Sequence, residues 1–266
     1  MTMTPHIDAE SPEFPGDPGP QPPLSFRDSV RSLPLWTIGL AQLATWMGII
    51  RIAAGLTDLR RRDFLLKWMC RSIPATIGID IAVKGAETLD RTRPYVFVAN
   101  HVNIFDMFAL YQAIPGYTRA LEHIDHFSWP FIGPLLTAAG QIPVDPRNPR
   151  LTAKGLKKAK KMLDRGESLT VLAEGSRTLD GSLGHFFPGA FRLAIRARVP
   201  VVPIAIKGGR KISRRGDWRV RQGREEVLLA APLSTENLSA ADSGKLAEQC
   251  RSVIVELLQG RRLPGE

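Results

Sequence analysis

Apolar residues along this chain follow two rhythms, and the switches between them mark its elements. Residues 95–99 (YVFVA) form a continuous apolar run, rich in β-branched and aromatic side chains, which predicts a buried strand. The run breaks at Asn100-His101, and a helix is expected from about Ile104, with Asn103 as N-cap and Asp106 three residues on. Further strands are predicted at 77–85, 118–126 (with a loop), 141–144, 168–173, 201–206 and 226–231. Helices are predicted between them at 63–77 (ending at Pro74), 129–139, 152–165, 189–197 and 243–258. This alternation predicts an α/β fold, a largely parallel mixed sheet covered by helices on both faces.

The N-terminal part reads differently. Residues 1–24 hold seven prolines and little apolar content, which predicts a disordered tail and not a signal peptide. Residues 33–50 carry no charge, with Trp36 and Trp46 near their ends and Arg27, Arg31, Arg51 and Arg60-Arg61-Arg62 around them. That is the short end for a bilayer span, which takes about 20 residues. A transmembrane helix, a helix lying in one leaflet and a buried core helix all fit, and two of the three place it in contact with membrane. If it spans, the denser basic cluster after it puts the rest of the chain on the cytoplasmic face. The organisation expected is a tail at 1–24, a helical membrane-associating segment at 25–77 and one domain at 78–266.

Composition narrows the partners. The net charge of +10 favours an acidic partner, namely nucleic acid, an anionic membrane or a phosphorylated substrate. No nucleic-acid recognition motif accompanies the charge, and aromatics at 7% disfavour a base-stacking platform. Cys70 and Cys250 lack metal or disulfide spacing.

Candidate chemistry gathers where strands end. His101 lies at the carboxyl end of an expected parallel strand, where open α/β sheets bind ligands. On a continuous helix, His101 and Asp106 would be rotated apart by roughly 500°. A turn between them lets Asp106 accept from the imidazole Nδ1–H, fix the tautomer and leave Nε2 to take a proton. The plainer alternative, that Asp106 only caps a helix, stays open on these residues alone. Glu174-Gly175-Ser176-Arg177 follows another strand end and should share that rim. Glycine there admits a close backbone approach, and Arg177 can hold phosphate in a bidentate fork; a plain β-turn is the alternative. Ser176 does not fit the G-x-S-x-G nucleophile elbow.

Four blocks, in order and spacing, resemble the glycerophospholipid acyltransferase family that includes the 1-acylglycerol-3-phosphate acyltransferases. Asn100-His101-x4-Asp106 is similar to its NHxSxxD, and Gly140-Gln-Ile-Pro-Val-Asp145 to its GxIFIDR. Glu174-Gly-Ser-Arg177 resembles its PEGTR, and Val199-Pro-Val-Val-Pro-Ile-Ala205 its VPIVPVAI. The likeness covers about residues 78–258. Asn103 stands for the usual serine, Ala173 for the proline of PEGTR, and Pro146 for the arginine of the second block, with Arg147 one step later.

The resemblance implies an enzyme with His101 as general base, Asp106 orienting it, and Glu174, Gly175, Ser176, Arg177 and Arg147 binding the acceptor. It implies acyl transfer from an acyl-CoA or acyl carrier protein thioester to the hydroxyl of a lysophospholipid. 1-Acylglycerol-3-phosphate, giving phosphatidic acid, leads; no cofactor or metal is implied. A lyso-ornithine lipid is the alternative acceptor, and a non-catalytic lipid-binding protein the alternative of another class. Two basic regions, five lysines in 154–161 and eight basic residues in 207–224, are solvated faces, docking sites for anionic headgroups, or a landing patch for acyl carrier protein.

Overall fold

In a computed structural model of the chain, residues 25–177 and 181–265 are described, so the expected tail at 1–24 lies outside them. Ser25 caps helix α1 (Phe26–Leu56): its hydroxyl accepts from the Asp28 N–H, and the Asp28 carboxylate accepts from the Ser25 N–H at 2.7 Å. At 1.5 Å per residue α1 is about 46 Å long, and by length and composition it could cross a membrane. Only Ser32, Leu43 and Ile50 are buried along it, so the buried core helix, one of three readings, is not what forms. The helix is instead held along one side. Val220 N–H donates to the Ser32 hydroxyl at 2.9 Å, and Trp36 Nε1–H to the Trp218 carbonyl at 2.6 Å. Trp46 Nε1–H donates to the Ser72 hydroxyl on α2 (Asp63–Thr76) at 2.8 Å.

Helix α2 was expected to end at Pro74 but runs to Thr76. Proline removes the N–H that the carbonyl four residues back would accept. That carbonyl, of Cys70, accepts instead from Gln112 Nε2 at 2.8 Å, so its acceptor capacity is met from a neighbouring helix.

Seven strands among the described residues form one sheet: β1 (Ile79–Lys84), β2 (Val96–Ala99), β3 (Thr118–His123), β4 (Ile142–Val144), β5 (Ser168–Leu172), β6 (Val201–Lys207) and β7 (Gly223–Leu229), in the order β1-β7-β6-β2-β5-β3-β4. Strands β2 to β6 are mutually parallel, while β7 returns antiparallel to β6 and β1 runs parallel to β7. The link from β6 to β7 holds only the short α7 (Gly209–Ile212) and a bridge between Ser213 and Val220. With no long crossover helix in that link, an antiparallel return fits.

The central β2 shows why the run at 95–99 lacks alternation. Val96 and Val98 pack into one core with α5 (Pro149–Leu163), α6 (Gly189–Ala197) and α8 (Ser243–Leu258), while Phe97 and Ala99 pack into another under α3 (Asp106–Ala113). A strand buried on both faces has no polar side to show. Helix α4 (Ile132–Ala138) was expected from Trp129; Phe131, at φ 64°, delays its start. The carboxyl ends of β2 to β6 form one rim, and the candidate chemistry lies there.

Candidate active site

Strand β2 ends because its next residue stops offering a backbone ladder. The Asn100 side chain takes over, accepting from Ile206 N–H at 2.7 Å and donating to the Ile206 carbonyl at 3.0 Å. This two-sided amide extends the pairing with β6 while freeing the main chain to turn, and so sets the exit angle of His101. Along the chain Asn100 shows only as an amide just past a buried strand; its partner on β6 depends on which strands become neighbours.

His101 Nδ1 lies 2.6 Å from Asp106 Oδ2. The same oxygen accepts from the N–H groups of Val102 (2.6 Å) and Asn103 (3.1 Å). Asp106 is fully buried and His101 partly exposed. The turn therefore winds around one carboxylate oxygen, and α3 starts at Asp106, not at Ile104. Asn103 does not cap the helix; Phe105 holds the cap position, and Asn103 Oδ1 accepts from Phe105 N–H two residues on, an Asx turn. Asn103 Nδ2 also donates to Glu225 Oε1 at 3.1 Å. Glu225 is buried at the start of β7, on this rim, and a Cβ on Gly209 would fall 2.1 Å from Asn103 Nδ2. Neither contact is readable along the chain. With Nδ1 facing Asp106, Nε2 is the ring atom left to exchange a proton with a substrate.

The 174–177 turn meets this loop directly. Glu174 Oε1 accepts from the His101 N–H at 2.7 Å, and Oε2 from the Gly184 N–H at 2.8 Å. One buried carboxylate thus ties the turn at His101 to the chain that follows the 174–177 turn. Gly175, at φ 70°, takes a left-handed conformation that glycine adopts freely. Ser176 is exposed and Arg177 half-buried, with its carbonyl accepting from Arg215. Burial lowers the affinity of the Arg177 guanidinium for its proton, Asp106 opposes that, and Arg215 adds to it. Arg177 and Asp106 therefore feel each other's charge across the site.

Arg147 is placed apart. It follows β4, three strands from β2 and so about 14 Å along the sheet. Its guanidinium is bound to Asp125 at 3.1 Å and Asp145 at 3.1 Å. To hold an acceptor phosphate it would have to exchange those carboxylates.

Burial pushes Glu174 up to about 7, against the pull of the Gly184 and His101 N–H groups. A carboxyl raised in this way binds its proton more tightly folded than unfolded. Its contribution to stability is present at low pH and is lost as pH rises toward 7. Thermal melts from about pH 5 to 8 should therefore show the stability of the native chain, relative to Glu174→Gln, falling up to about pH 7 and flat above. Parallel curves would contradict this.

Known proteins resemble the chain as follows. Residues 80–207 match the family model described as Acyltransferase. The chain is 29% identical over 217 residues to the protein of Ovis aries named 1-acyl-sn-glycerol-3-phosphate acyltransferase alpha, covering 81% of this chain and 74% of that one. It is 28% identical over 262 residues to 1-acyl-sn-glycerol-3-phosphate acyltransferase LPAT1, chloroplastic, of Arabidopsis thaliana, covering 96% and 72%. The crystal structure of the 1-acyl-sn-glycerophosphate (LPA) acyltransferase PlsC from Thermotoga maritima superposes with a TM-score of 0.74 at 18% identity, over 88% of this chain and 96% of that one. That likeness establishes the fold.

Proposed function

We propose that this chain, whose residues 80–207 match the Acyltransferase family model, acylates 1-acylglycerol-3-phosphate to phosphatidic acid. The observation that carries the reading is the 2.6 Å contact of His101 Nδ1 with the buried Asp106, on the rim that also bears Arg177. The donor is an acyl thioester of coenzyme A or of acyl carrier protein.

The acceptor hydroxyl gives its proton to His101 Nε2, and the positive charge that forms on the ring is stabilised by Asp106. The alkoxide oxygen bonds to the thioester carbonyl carbon. The tetrahedral intermediate then expels the thiolate, which takes the proton back from His101 and leaves as the free thiol. No acyl-enzyme is needed, because a thioester is already activated. Arg177 binds the acceptor phosphate with the backbone around Gly175, and Glu174 fixes the turn that carries His101. A helix as apolar as α1 keeps the chain at the membrane in which both acyl substrates partition, on its cytoplasmic face if the basic run at Arg60-Arg61-Arg62 marks that side.

The test is a competition between acceptors. Given labelled acyl-CoA and equal amounts of lysophosphatidic acid and lyso-ornithine lipid, the full chain in membranes should label phosphatidic acid in large excess. Preferential labelling of the phosphate-free lipid would keep the chemistry and replace the acceptor. Repeating it with acyl carrier protein thioesters identifies the donor.

A further inference from the structure

Part of the basic stretch on α5 forms a wall of a second cleft, away from the catalytic turn. This cleft, of about 460 Å³, lies between α5, the approach to β3 and the loop joining α1 to α2. Tyr117 and Glu167, in its wall, immediately precede β3 and β5, so it opens on the rim opposite His101. Five residues of β2 and its exit separate the two rims, about 16 Å at the rise of a strand.

Its charge is one-sided. Arg60, Lys158, Lys161 and Arg165 stand around it with Arg119, against Asp58 and Glu167. Lys158, Lys161 and Arg165 are exposed, and their side chains make no ion pair among the described residues. Arg119 is fully buried: its guanidinium stacks 3.8 Å from the Tyr117 ring centre, Nη1 donates to Asp63 at 2.8 Å, and Nη2 to the Leu59 carbonyl at 3.1 Å. Those contacts hold it still, yet its Nε is buried without a hydrogen-bond partner. The Nε lies beside Gly140, also in the cleft wall, where a Cβ would come within 3.4 Å of it. Buried donors are seldom left unmet, and an anion is the ligand that would meet this one among so many cations.

We propose that this cleft binds a phosphate-bearing ligand, held by Lys158, Lys161 and Arg165 at the mouth with Arg119 behind them. The phosphate is that of a lipid headgroup or a free phosphate ion; both offer the oxygens that guanidinium and ammonium groups recognise. The α1–α2 loop supplies one wall through Leu59 and Arg60, so occupancy would tie that loop to the α/β domain. This assignment goes beyond the acyl-transfer reading and does not depend on it.

The experiment follows the melting temperature of the full chain in a non-ionic detergent as ligand is titrated. The ligands are inorganic phosphate, short-chain phosphatidylglycerol, and diacylglycerol of equal chain length as the control for lipid without phosphate. A saturable rise with phosphatidylglycerol, whose apparent dissociation constant weakens about tenfold or more in Lys158→Ala/Lys161→Ala/Arg165→Ala, is expected. The same rise should persist in Arg177→Ala, which separates this cleft from the catalytic rim. A rise with inorganic phosphate as well assigns the free ion; a rise with phosphatidylglycerol alone assigns the headgroup. No rise with either phosphate-bearing ligand, an equal rise with diacylglycerol, or a rise unchanged in the triple variant would overturn the proposal.

Discussion

His101→Ala is expected to lower kcat for acyl transfer by about 10²- to 10⁴-fold, the usual contribution of a positioned general base. KM for the acceptor should stay within a few-fold, because the imidazole is assigned to the hydroxyl proton and not to the phosphate. Stability should hold as well. His101 is partly exposed, and Asp106 keeps the Val102 and Asn103 N–H groups that shape the turn when the ring is gone. Asp106→Asn is the poorer variant, since a neutral amide oxygen accepts more weakly from the three donors now shared by Oδ2 and can disturb the loop itself. Steady-state kinetics beside a thermal melt separate the two effects. A fall in kcat matched by a collapse in melting temperature would reduce His101 to a structural role.

Arg177→Ala should raise KM for lysophosphatidic acid by about 10- to 100-fold, as expected for losing a charge-assisted hydrogen bond worth about 1.5–3 kcal/mol. Its guanidinium is half-buried, so the bond it offers is less screened than one at an open surface. Arg177→Lys should recover part of the loss, since a lysine keeps the charge but not the bidentate fork. Turnover at saturating acceptor should change far less than KM. The loss should shrink for an acceptor without phosphate, which is the readout a merely structural role would not give. Equal losses with both acceptors would remove Arg177 from phosphate recognition.

Much of the fold is legible along the chain where burial alone decides the pattern. Strand β2 reads plainly because both its faces are covered, and α6 and α8 fold over the residues expected, their amphipathic patterns being undisturbed. The direction of β7 is not legible, since it depends on whether the preceding link carries a crossover helix, and α7 is too short to serve as one. The start of α3 was misplaced by two residues because Asn103 spends its side chain on Phe105 and Glu225.

The site divides in the same way. The approach of His101 to Asp106 follows from their spacing across a turn, and the shared rim with 174–177 from strand ends in a parallel sheet. The ties of Asn100 to Ile206, Glu174 to Gly184 and Asn103 to Glu225 depend on which strands become neighbours. The position of Arg147 likewise depends on strand order, which sets β4 at the far edge of the sheet.

The most direct measurement is the yield of labelled phosphatidic acid from labelled acyl thioester and lysophosphatidic acid, for the native chain and His101→Ala at equal amounts of folded protein. Robust labelling by the native chain and a loss of about a hundredfold or more in the variant is the result predicted. Undiminished labelling in a folded His101→Ala, or none by the native chain with either thioester, would contradict it.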